Sequence, residues 1–293
     1  MKAYLFPGQG SQFSGMGEEL HKINEGSKLF EIANKILGFD ISKIMFNGSN
    51  EDLKQTNVTQ PAIFIHSVIL SILLGDSFNP EMVAGHSLGE FSALAATGSI
   101  SFEDGLNLVR IRAEAMRNAC DLESGTMAAV LGMDDKLVEE ICFNTAGIVV
   151  AANYNCPGQL VISGEIKAIE KACESLKVQG AKRAIILPVG GAFHSPLMEP
   201  ARDQLAQAID SISLNAPSCP IYQNVSSTPT KDPQIIKTNL ISQLTAPVKW
   251  TSIIKKMNID GAKIFTEVGP GSVLQGLCKK IESNCETQSA SII

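Results

Sequence analysis

The chain has 293 residues, of which 44% are hydrophobic and 18% charged, and its formal net charge is −6. This composition is that of an ordinary globular protein and differs from that of disordered or fibrous chains. The length is enough for one large core, or for one core and a small inserted domain. The acidic balance argues against a general nucleic-acid binder, because no basic face emerges from the sequence.

The chain opens with an apolar strand over residues 2–6, followed by the loop Pro7-Gly8-Gln9-Gly10. Because the strand starts at once, we expect no signal peptide. The loop is similar to a phosphate-binding loop, but Phe13 stands where the pattern G-x-G-x-x-G needs its third glycine. A loop after an early strand can instead supply a backbone amide to an oxyanion hole, and we favour that use here.

The apolar run over residues 63–74 is interrupted by His66, Ser67 and Ser71 and is too short to cross a bilayer, so we expect no membrane association. The seven cysteines form no C-x-x-C pair and have no histidine near them in sequence. This argues against a zinc site, and we predict no metal. Free thiols are typical of a reducing compartment, which indicates a cytoplasmic protein.

The pentapeptide Gly85-His86-Ser87-Leu88-Gly89 fits the G-x-S-x-G pattern, in which a serine sits on a sharp turn between a strand and a helix. Residues 82–84 are typical of a buried strand, and residues 88–97 of a helix. The context favours Ser87 as a nucleophile over a surface serine that happens to have glycine neighbours. The amide of Leu88, at the helix N-terminus, is placed to receive a developing oxyanion.

A serine nucleophile needs an adjacent base, and the chain has four histidines. His21 lies in a polar segment, His66 lies in an apolar run, and we expect His86 to point away from the turn. His194 follows a strand and the pair Gly190-Gly191, where a loop can present a base. No acid occupies the place of the third triad member of an α/β-hydrolase, so we expect a neutral acceptor, such as a backbone carbonyl, to orient the imidazole.

Arg112 lies on a predicted helix over residues 102–120, beside its apolar stripe. A guanidinium that leans inward needs an anionic partner, and a carboxylate can bind it in bidentate fashion. The spacing leaves two interpretations open, which are a substrate carboxylate and a structural ion pair.

Residues 125–190 are predicted to form a separate unit with the order βαββαβ, which is the ferredoxin-like arrangement. Residues 1–124 and 191–293 alternate strands with helices, as an α/β layer fold does. We therefore predict one discontinuous α/β domain, formed by the two flanks, and a small subdomain inserted into it.

Taken in order, these motifs resemble those of the malonyl-CoA:acyl-carrier-protein transacylases, and the resemblance covers the whole length. Each motif alone is weak, but all of them in sequence order are specific. They lie at residues 6–12, 85–90, 110–112, 153–159, 193–195, 243–244, 247–248 and 267–271.

The resemblance implies a hydrolase-like three-layer α/β domain with a ferredoxin-like insertion, and a ping-pong acyl transfer for fatty acid biosynthesis. Ser87 would attack malonyl-CoA, and His194 would take its proton and later activate the thiol of holo acyl carrier protein. The amides of Gln9 and Leu88 would hold the oxyanion. Arg112 would pair with the malonyl carboxylate, which favours the substrate interpretation for that residue.

The resemblance also assigns residues around this centre. Gln243 would supply the acceptor that orients His194. Phe193 is typical of members that select malonyl over branched malonyl units, and Asn153 and Asn155 would line the pantetheine path. The enzyme would need no cofactor of its own, would bind no nucleic acid and would work as a monomer.

Three alternatives remain at this point. A discrete acyltransferase of a polyketide synthase would carry the same motifs. A serine thioesterase or other hydrolase would need an acidic partner for His194, and the sequence offers none in the expected place. A non-catalytic nucleotide-binding module on the loop of residues 7–10 is disfavoured by the missing third glycine.

Overall fold

The computed structural model describes residues 1–292, and these residues form two β-sheets surrounded by helices. The strands are β1 (Lys2–Phe6), β2 (Met82–Gly85), β3 (Gly125–Leu131), β4 (Val149–Cys156), β5 (Gln159–Glu165), β6 (Arg183–Ile186), β7 (Ile221–Tyr222), β8 (Pro229–Thr230), β9 (Ile264–Glu267) and β10 (Glu286–Ser289). The helices are α1 (Glu18–His21), α2 (Asn24–Leu37), α3 (Ile41–Asn47), α4 (Asn50–Lys54), α5 (Thr56–Leu73), α6 (Gly89–Ala96), α7 (Phe102–Leu122), α8 (Asp135–Asn144), α9 (Ile166–Val178), α10 (Glu199–Asp210), α11 (Pro233–Ser242), α12 (Trp250–Ile259) and α13 (Val273–Ile281). Short 3₁₀ turns lie at Gly75–Ser77, Pro196–Met198 and Gln243–Thr245.

The larger sheet has the strand order β10-β9-β1-β2-β7-β8. All neighbouring pairs are parallel except β7 and β8. Phe6 at the end of β1 is in register with Gly85 at the end of β2. Because the carboxyl ends of these two parallel strands meet at one edge, the loops that follow them are brought together there.

Helices cover both faces of this sheet, as the alternation along β1 requires. Tyr4 and Phe6 pack into one core with residues of α2, α5, α7 and α10. Ala3 and Leu5 pack into a second core with residues of α12 and α13. A strand buried on both faces shows this period-2 division between two apolar layers. The predicted three-layer α/β class is confirmed.

The smaller sheet is antiparallel, with the order β4-β5-β3-β6. Residues of α8 and α9 bury their apolar faces against it. The element order βαββαβ and this strand order are those of a ferredoxin-like unit, as predicted. The segment around Val248 joins the two parts of the molecule, since its amide donates to Ala152 at 2.8 Å and its carbonyl accepts from Tyr154 at 2.9 Å. The domain boundaries at 124/125 and 190/191 stay a prediction.

Helix α5 is the central helix of the main core. It starts at Thr56, well before the apolar run over residues 63–74. Hydrophobicity alone did not reveal this start, because polar residues occupy the first turns of the helix. By length and composition it could cross a membrane, but 78% of it is buried inside the protein. It packs against α6, which follows the Ser87 turn, and against α7, which carries Arg112.

Candidate active site

The turn that carries Ser87 is as sharp as the sequence pattern predicted. Ser87 has a φ of 51°, which is in the left-handed region that residues other than glycine rarely adopt. A Cβ on Gly85 would lie 1.9 Å from the backbone of Gly89, and a Cβ on Gly89 would lie 2.0 Å from the carbonyl oxygen of Phe6. Both glycines are therefore required for β2 to turn directly into α6.

Ser87 and His194 form a hydrogen-bonded pair. The distance from Ser87 Oγ to His194 Nε2 is 2.8 Å. On the other side of the ring, Nδ1 lies 2.9 Å from the carbonyl oxygen of Gln243 and 3.1 Å from that of Ala246. Because carbonyl oxygens only accept, Nδ1 carries the hydrogen and Nε2 is left as an acceptor for the serine hydroxyl.

The orienting acceptors of His194 are thus backbone carbonyls at the 3₁₀ turn after α11, where a helix end leaves carbonyls free. The side chain of Gln243 has other partners. Its Nε2 donates to the carbonyl of Ser87 at 3.0 Å and to Glu90 Oε2 at 2.7 Å.

His194 is held in its neutral form. The residue is 4% exposed, and burial lowers its pKa to about 3, with the positive charge of Arg112 acting in the same direction. A neutral imidazole is the form that can accept a proton from the serine.

Arg112 is completely buried beside the nucleophile. Its Nη2 donates to Ser87 Oγ at 2.9 Å, and its Nη1 donates to Gln60 Oε1 at 2.5 Å. Nη2 also lies 3.2 Å from Gln243 Oε1, and the guanidinium carbon lies 5.7 Å from the centre of the Phe91 ring. Burial lowers the pKa of Arg112 to about 10, opposed by the attraction of Glu90.

Within residues 1–292, Arg112 forms no direct ion pair with a carboxylate, and its Nε has no hydrogen-bond partner. The alternative of a structural ion pair therefore has no partner in the described chain. The direct hydrogen-bond partners of Arg112 are neutral, and Glu90 is connected to it only through Gln243. A buried cation without a direct anionic partner is costly and attracts an anion. Nε keeps an unpartnered N–H, whereas the two N–H groups of Nη2 contact Ser87 Oγ and Gln243 Oε1. A carboxylate that binds Nε and Nη2 side by side replaces one of those two acceptors.

The two predicted oxyanion donors lie beside the serine. Leu88 precedes the first residue of α6, and Gln9 lines the same cavity as Ser87. Neither backbone N–H donates to an acceptor in the described part of the chain. The loop of Gln9 is packed against the serine turn, because a Cβ on Gly8 would lie 2.5 Å from the carbonyl oxygen of His86.

A cavity of about 150 Å³ opens over Ser87 and His194. Its wall is mainly apolar and comes from both parts of the molecule, with Phe193 among the lining residues. Asn153 also lines it, and its Oδ1 is buried without a hydrogen-bond partner among the described residues. The other apolar lining residues are Met116, Met127, Leu187 and Val189.

The expectation that His86 points away from the site was wrong. His86 lines the cavity, and its Nε2 lies 2.9 Å from Asn155 Oδ1. Its ring packs at 5.4 Å from that of Trp250, and burial lowers its pKa. Asn155 therefore contacts His86 and is not among the residues that line the cavity, whereas Asn153 is.

Three residues around the site escaped the sequence reasoning. Gln60 anchors Arg112, Asn224 accepts the amide of Ser87 through Oδ1 at 2.7 Å, and Glu90 is wholly buried beneath the turn. Gln60 and Glu90 each interrupt an apolar helix, and this was the signal that could have identified them. Asn224 follows β7 at the carboxyl edge of the sheet, where side chains of a functional site gather.

The cysteines contribute no site of their own. All seven are free thiols. No group of three or more His, Cys, Asp or Glu side chains in residues 1–292 is arranged to hold a metal ion.

Comparison with known proteins shows which family has this sequence and fold. The model of the acyl transferase domain matches residues 3–293. The malonyl CoA-acyl carrier protein transacylase of Bacillus subtilis is 42% identical over 294 residues, which cover 99% of this chain and 93% of that protein.

Two solved structures are similarly close. The acyl carrier protein S-malonyltransferase of Vibrio cholerae superposes with a TM-score of 0.95 at 37% identity, covering 100% of this chain and 97% of that one. A malonyl-transacylase solved in complex with a type II PKS acyl-carrier protein superposes with a TM-score of 0.93 at 36% identity, covering 99% and 94%. The chain therefore belongs to the acyl transferase domain family and, within it, to the malonyl-CoA:acyl-carrier-protein transacylases.

Proposed function

We propose that this acyltransferase moves a malonyl group from malonyl-CoA to the phosphopantetheine thiol of holo acyl carrier protein, through an ester on Ser87, and so supplies fatty acid biosynthesis. The observation that carries the proposal is the buried guanidinium of Arg112, which has no direct ion pair and lies 2.9 Å from Ser87 Oγ. An acyl group that ends in a carboxylate is the ligand that such a site favours.

In the first half-reaction, the carboxylate of the malonyl group binds Arg112 through Nε and Nη2. This contact fixes the thioester carbonyl over Ser87 Oγ. As Oγ attacks the carbonyl carbon, His194 Nε2 takes the hydroxyl proton, and the backbone carbonyls at Nδ1 stabilise the imidazolium. The amides of Gln9 and Leu88 receive the oxyanion. Collapse of the tetrahedral intermediate breaks the C–S bond, and His194 returns the proton to the departing CoA thiolate.

The second half-reaction reverses these roles. The carrier thiol enters the cavity, His194 removes its proton, and the thiolate attacks the malonyl ester. The ester bond to Ser87 breaks, Oγ recovers its proton from His194, and malonyl carrier protein leaves. Asn153 supports this assignment, because its unpartnered Oδ1 can accept an amide N–H of the pantetheine arm of either thiol. Phe193 narrows the space for a branched acyl group.

Hydrolysis is the competing fate of the ester. His194 contacts two neutral carbonyls and no acid among the described residues. An imidazolium without a carboxylate partner is less stabilised, so water is activated less well than a thiol, which loses its proton more easily. This arrangement favours transfer over a thioesterase reaction.

We further propose that the protein is a cytoplasmic monomer made of a discontinuous domain, residues 1–124 and 191–293, and an inserted subdomain, residues 125–190. Free thiols and the burial of α5 support this location. The proposed chemistry uses no metal and no cofactor beyond the thioester substrates.

Intact-protein mass spectrometry tests the proposal. Mixing with malonyl-CoA should give one malonyl adduct, which Ser87→Ala abolishes. Holo carrier protein should discharge it, and apo carrier protein, which lacks the thiol, should not. Discharge by water as fast as by holo carrier would identify a thioesterase instead. Preference for a carrier of polyketide synthesis over one of fatty acid synthesis would reassign the pathway.

A further inference from the structure

A buried carboxylate joins the two side chains that hold the serine turn. Glu90 lies in the first turn of α6 and is 0% exposed. Its Oε1 accepts the backbone N–H of Asn224, and its Oε2 accepts from Gln243 Nε2 at 2.7 Å. Both oxygens therefore act as acceptors, and the ionised form fills this role without an O–H that would need an acceptor of its own.

The two partners of Glu90 hold both backbone polar groups of Ser87. Asn224 Oδ1 accepts the N–H of Ser87 at 2.7 Å, and its Nδ2 donates to the carbonyl of Gly85 at 2.7 Å. Gln243 Nε2 donates to the carbonyl of Ser87 at 3.0 Å. A serine held at a φ of 51° needs such surrounding constraints, because the conformation is itself unfavourable.

Glu90 also sets which way the amide of Gln243 points. Since Nε2 must face Glu90 and the carbonyl of Ser87, Oε1 is left to accept from Arg112 Nη2 at 3.2 Å. The backbone carbonyl of the same residue accepts from His194. The orientation of one glutamine thus connects the nucleophile, the base and the cation.

We infer that Glu90 is a positioning residue, whose carboxylate fixes Asn224 and Gln243 and through them aligns Ser87, His194 and Arg112 for acylation. The inference rests on the proposed function, because acylation by malonyl-CoA is the step that it affects. Glu90 itself does not contact the substrate.

The isosteric variant Glu90→Gln tests this role. Its amide can accept from one partner but must point N–H groups at the other, so either Asn224 or Gln243 loses its acceptor. If Gln243 flips in response, its Nε2 faces Arg112, and the carbonyl of Ser87 loses its side-chain donor and keeps only the backbone N–H of Glu90, at 3.1 Å. We expect the rate of Ser87 acylation, measured by rapid quench, to fall on the order of 10²-fold, because misplacement of reacting groups costs about that much.

Glu267→Gln is the matched control. Glu267 is also buried, at 1% exposure, and its two oxygens accept the amides of Leu274 and Gln275 at 3.1 Å each. This variant loses a comparable acceptor away from Ser87, and we expect its acylation rate to match that of the wild type. A rate in Glu90→Gln that equals the control rate would overturn the inference.

The pH profile gives a readout that a merely structural role would not move. Burial raises the pKa of Glu90 to about 8, opposed by the N–H donors of Asn224 and Gln243, by the charge of Arg112 and by Gln223. The carboxylate forms as the pH rises from 7 to 9, so the ratio of the wild-type rate to the Glu90→Gln rate should increase over that range. A constant ratio would contradict the role of the carboxylate.

Two further outcomes are distinguishable. If Glu90→Gln does not fold, Asn224→Ser removes the same support from Ser87, and an unchanged acylation rate in that variant would overturn the inference. If wild-type protein forms no malonyl adduct at all, the proposed function itself fails.

Discussion

The hydroxyl oxygen of Ser87 lies between Arg112 Nη2, at 2.9 Å, and His194 Nε2, at 2.8 Å. The hydroxyl can donate its hydrogen to the imidazole while it accepts one from the guanidinium. The cation therefore does two things at once. It stabilises negative charge that develops on Oγ, and it opposes protonation of His194.

The depressed pKa of His194 predicts how stability depends on pH. The unfolded chain binds a proton on this imidazole near its ordinary value of 6.5, whereas the folded protein does so only at about 3. Stability from this residue is present above 6.5 and decreases as the pH falls towards 3. As the pH falls through this window, the unfolding free energy of the wild type should decrease faster than that of His194→Gln. The difference between the two slopes should reach up to about 1.4 kcal/mol per pH unit.

Urea denaturation between pH 4 and pH 8, carried out on both proteins, measures this difference. Equal pH slopes for the wild type and His194→Gln would show that the imidazole is not held neutral. The slopes are compared because other groups titrate equally in the two proteins.

A second prediction concerns the serine turn. Gly89→Ala places a Cβ 2.0 Å from the carbonyl oxygen of Phe6, so the turn must open, and we expect a loss of roughly 3 kcal/mol or more in unfolding free energy. Gly276→Ala is the control, since it lies inside α13 with no atom within 4 Å of the new Cβ. That substitution should stabilise the protein by about 0.5–1 kcal/mol. Thermal denaturation of both variants measures the two changes in stability. Similar changes in unfolding free energy for Gly89→Ala and Gly276→Ala would contradict the close packing at Gly89.

A third prediction separates the two asparagines of β4. Asn153→Ala removes an acceptor in the cavity, so KM for malonyl-CoA should rise roughly fivefold with little change in kcat, as expected for the loss of about 1 kcal/mol from one hydrogen bond. Asn155→Ala frees His86 instead and should leave KM closer to that of the wild type. Steady-state kinetics of both variants measure the two KM values. A larger rise in KM for Asn155→Ala than for Asn153→Ala would show that Asn155, not Asn153, contacts the substrate.

This asparagine pair also shows where sequence reasoning stops. Strand β4 has irregular pairing between Ala151 and Asn153 and again between Tyr154 and Cys156. A bulge breaks the alternation of side chains, so the period of two cannot tell which asparagine faces the cavity. The serine turn was predictable because its glycines, strand and helix are neighbours in sequence.

The support beneath Ser87 was not predictable in the same way. Asn224 lies 134 positions after Glu90 in the sequence, and Gln243 lies 153 positions after it. Only the fold brings these three residues together. The sequence indicated that His194 lacks an acid and that a carbonyl could replace it. It marked Glu90 only as a charged residue in an apolar helix, and this mark did not indicate that the carboxylate contacts Gln243.

We propose that Arg112 selects an acyl chain that ends in a carboxylate, and every step of the transfer follows from that selection. Equal concentrations of malonyl-CoA and acetyl-CoA, mixed with the protein and read by intact mass, measure that selection. Wild-type protein should carry almost only malonyl on Ser87. In Arg112→Ala the malonyl rate should fall by roughly 30-fold or more, since removing one partner of a buried charge pair costs about 2–5 kcal/mol, and acetyl should compete. A wild-type protein that takes both groups equally, or an Arg112→Ala variant that still prefers malonyl, would contradict the account.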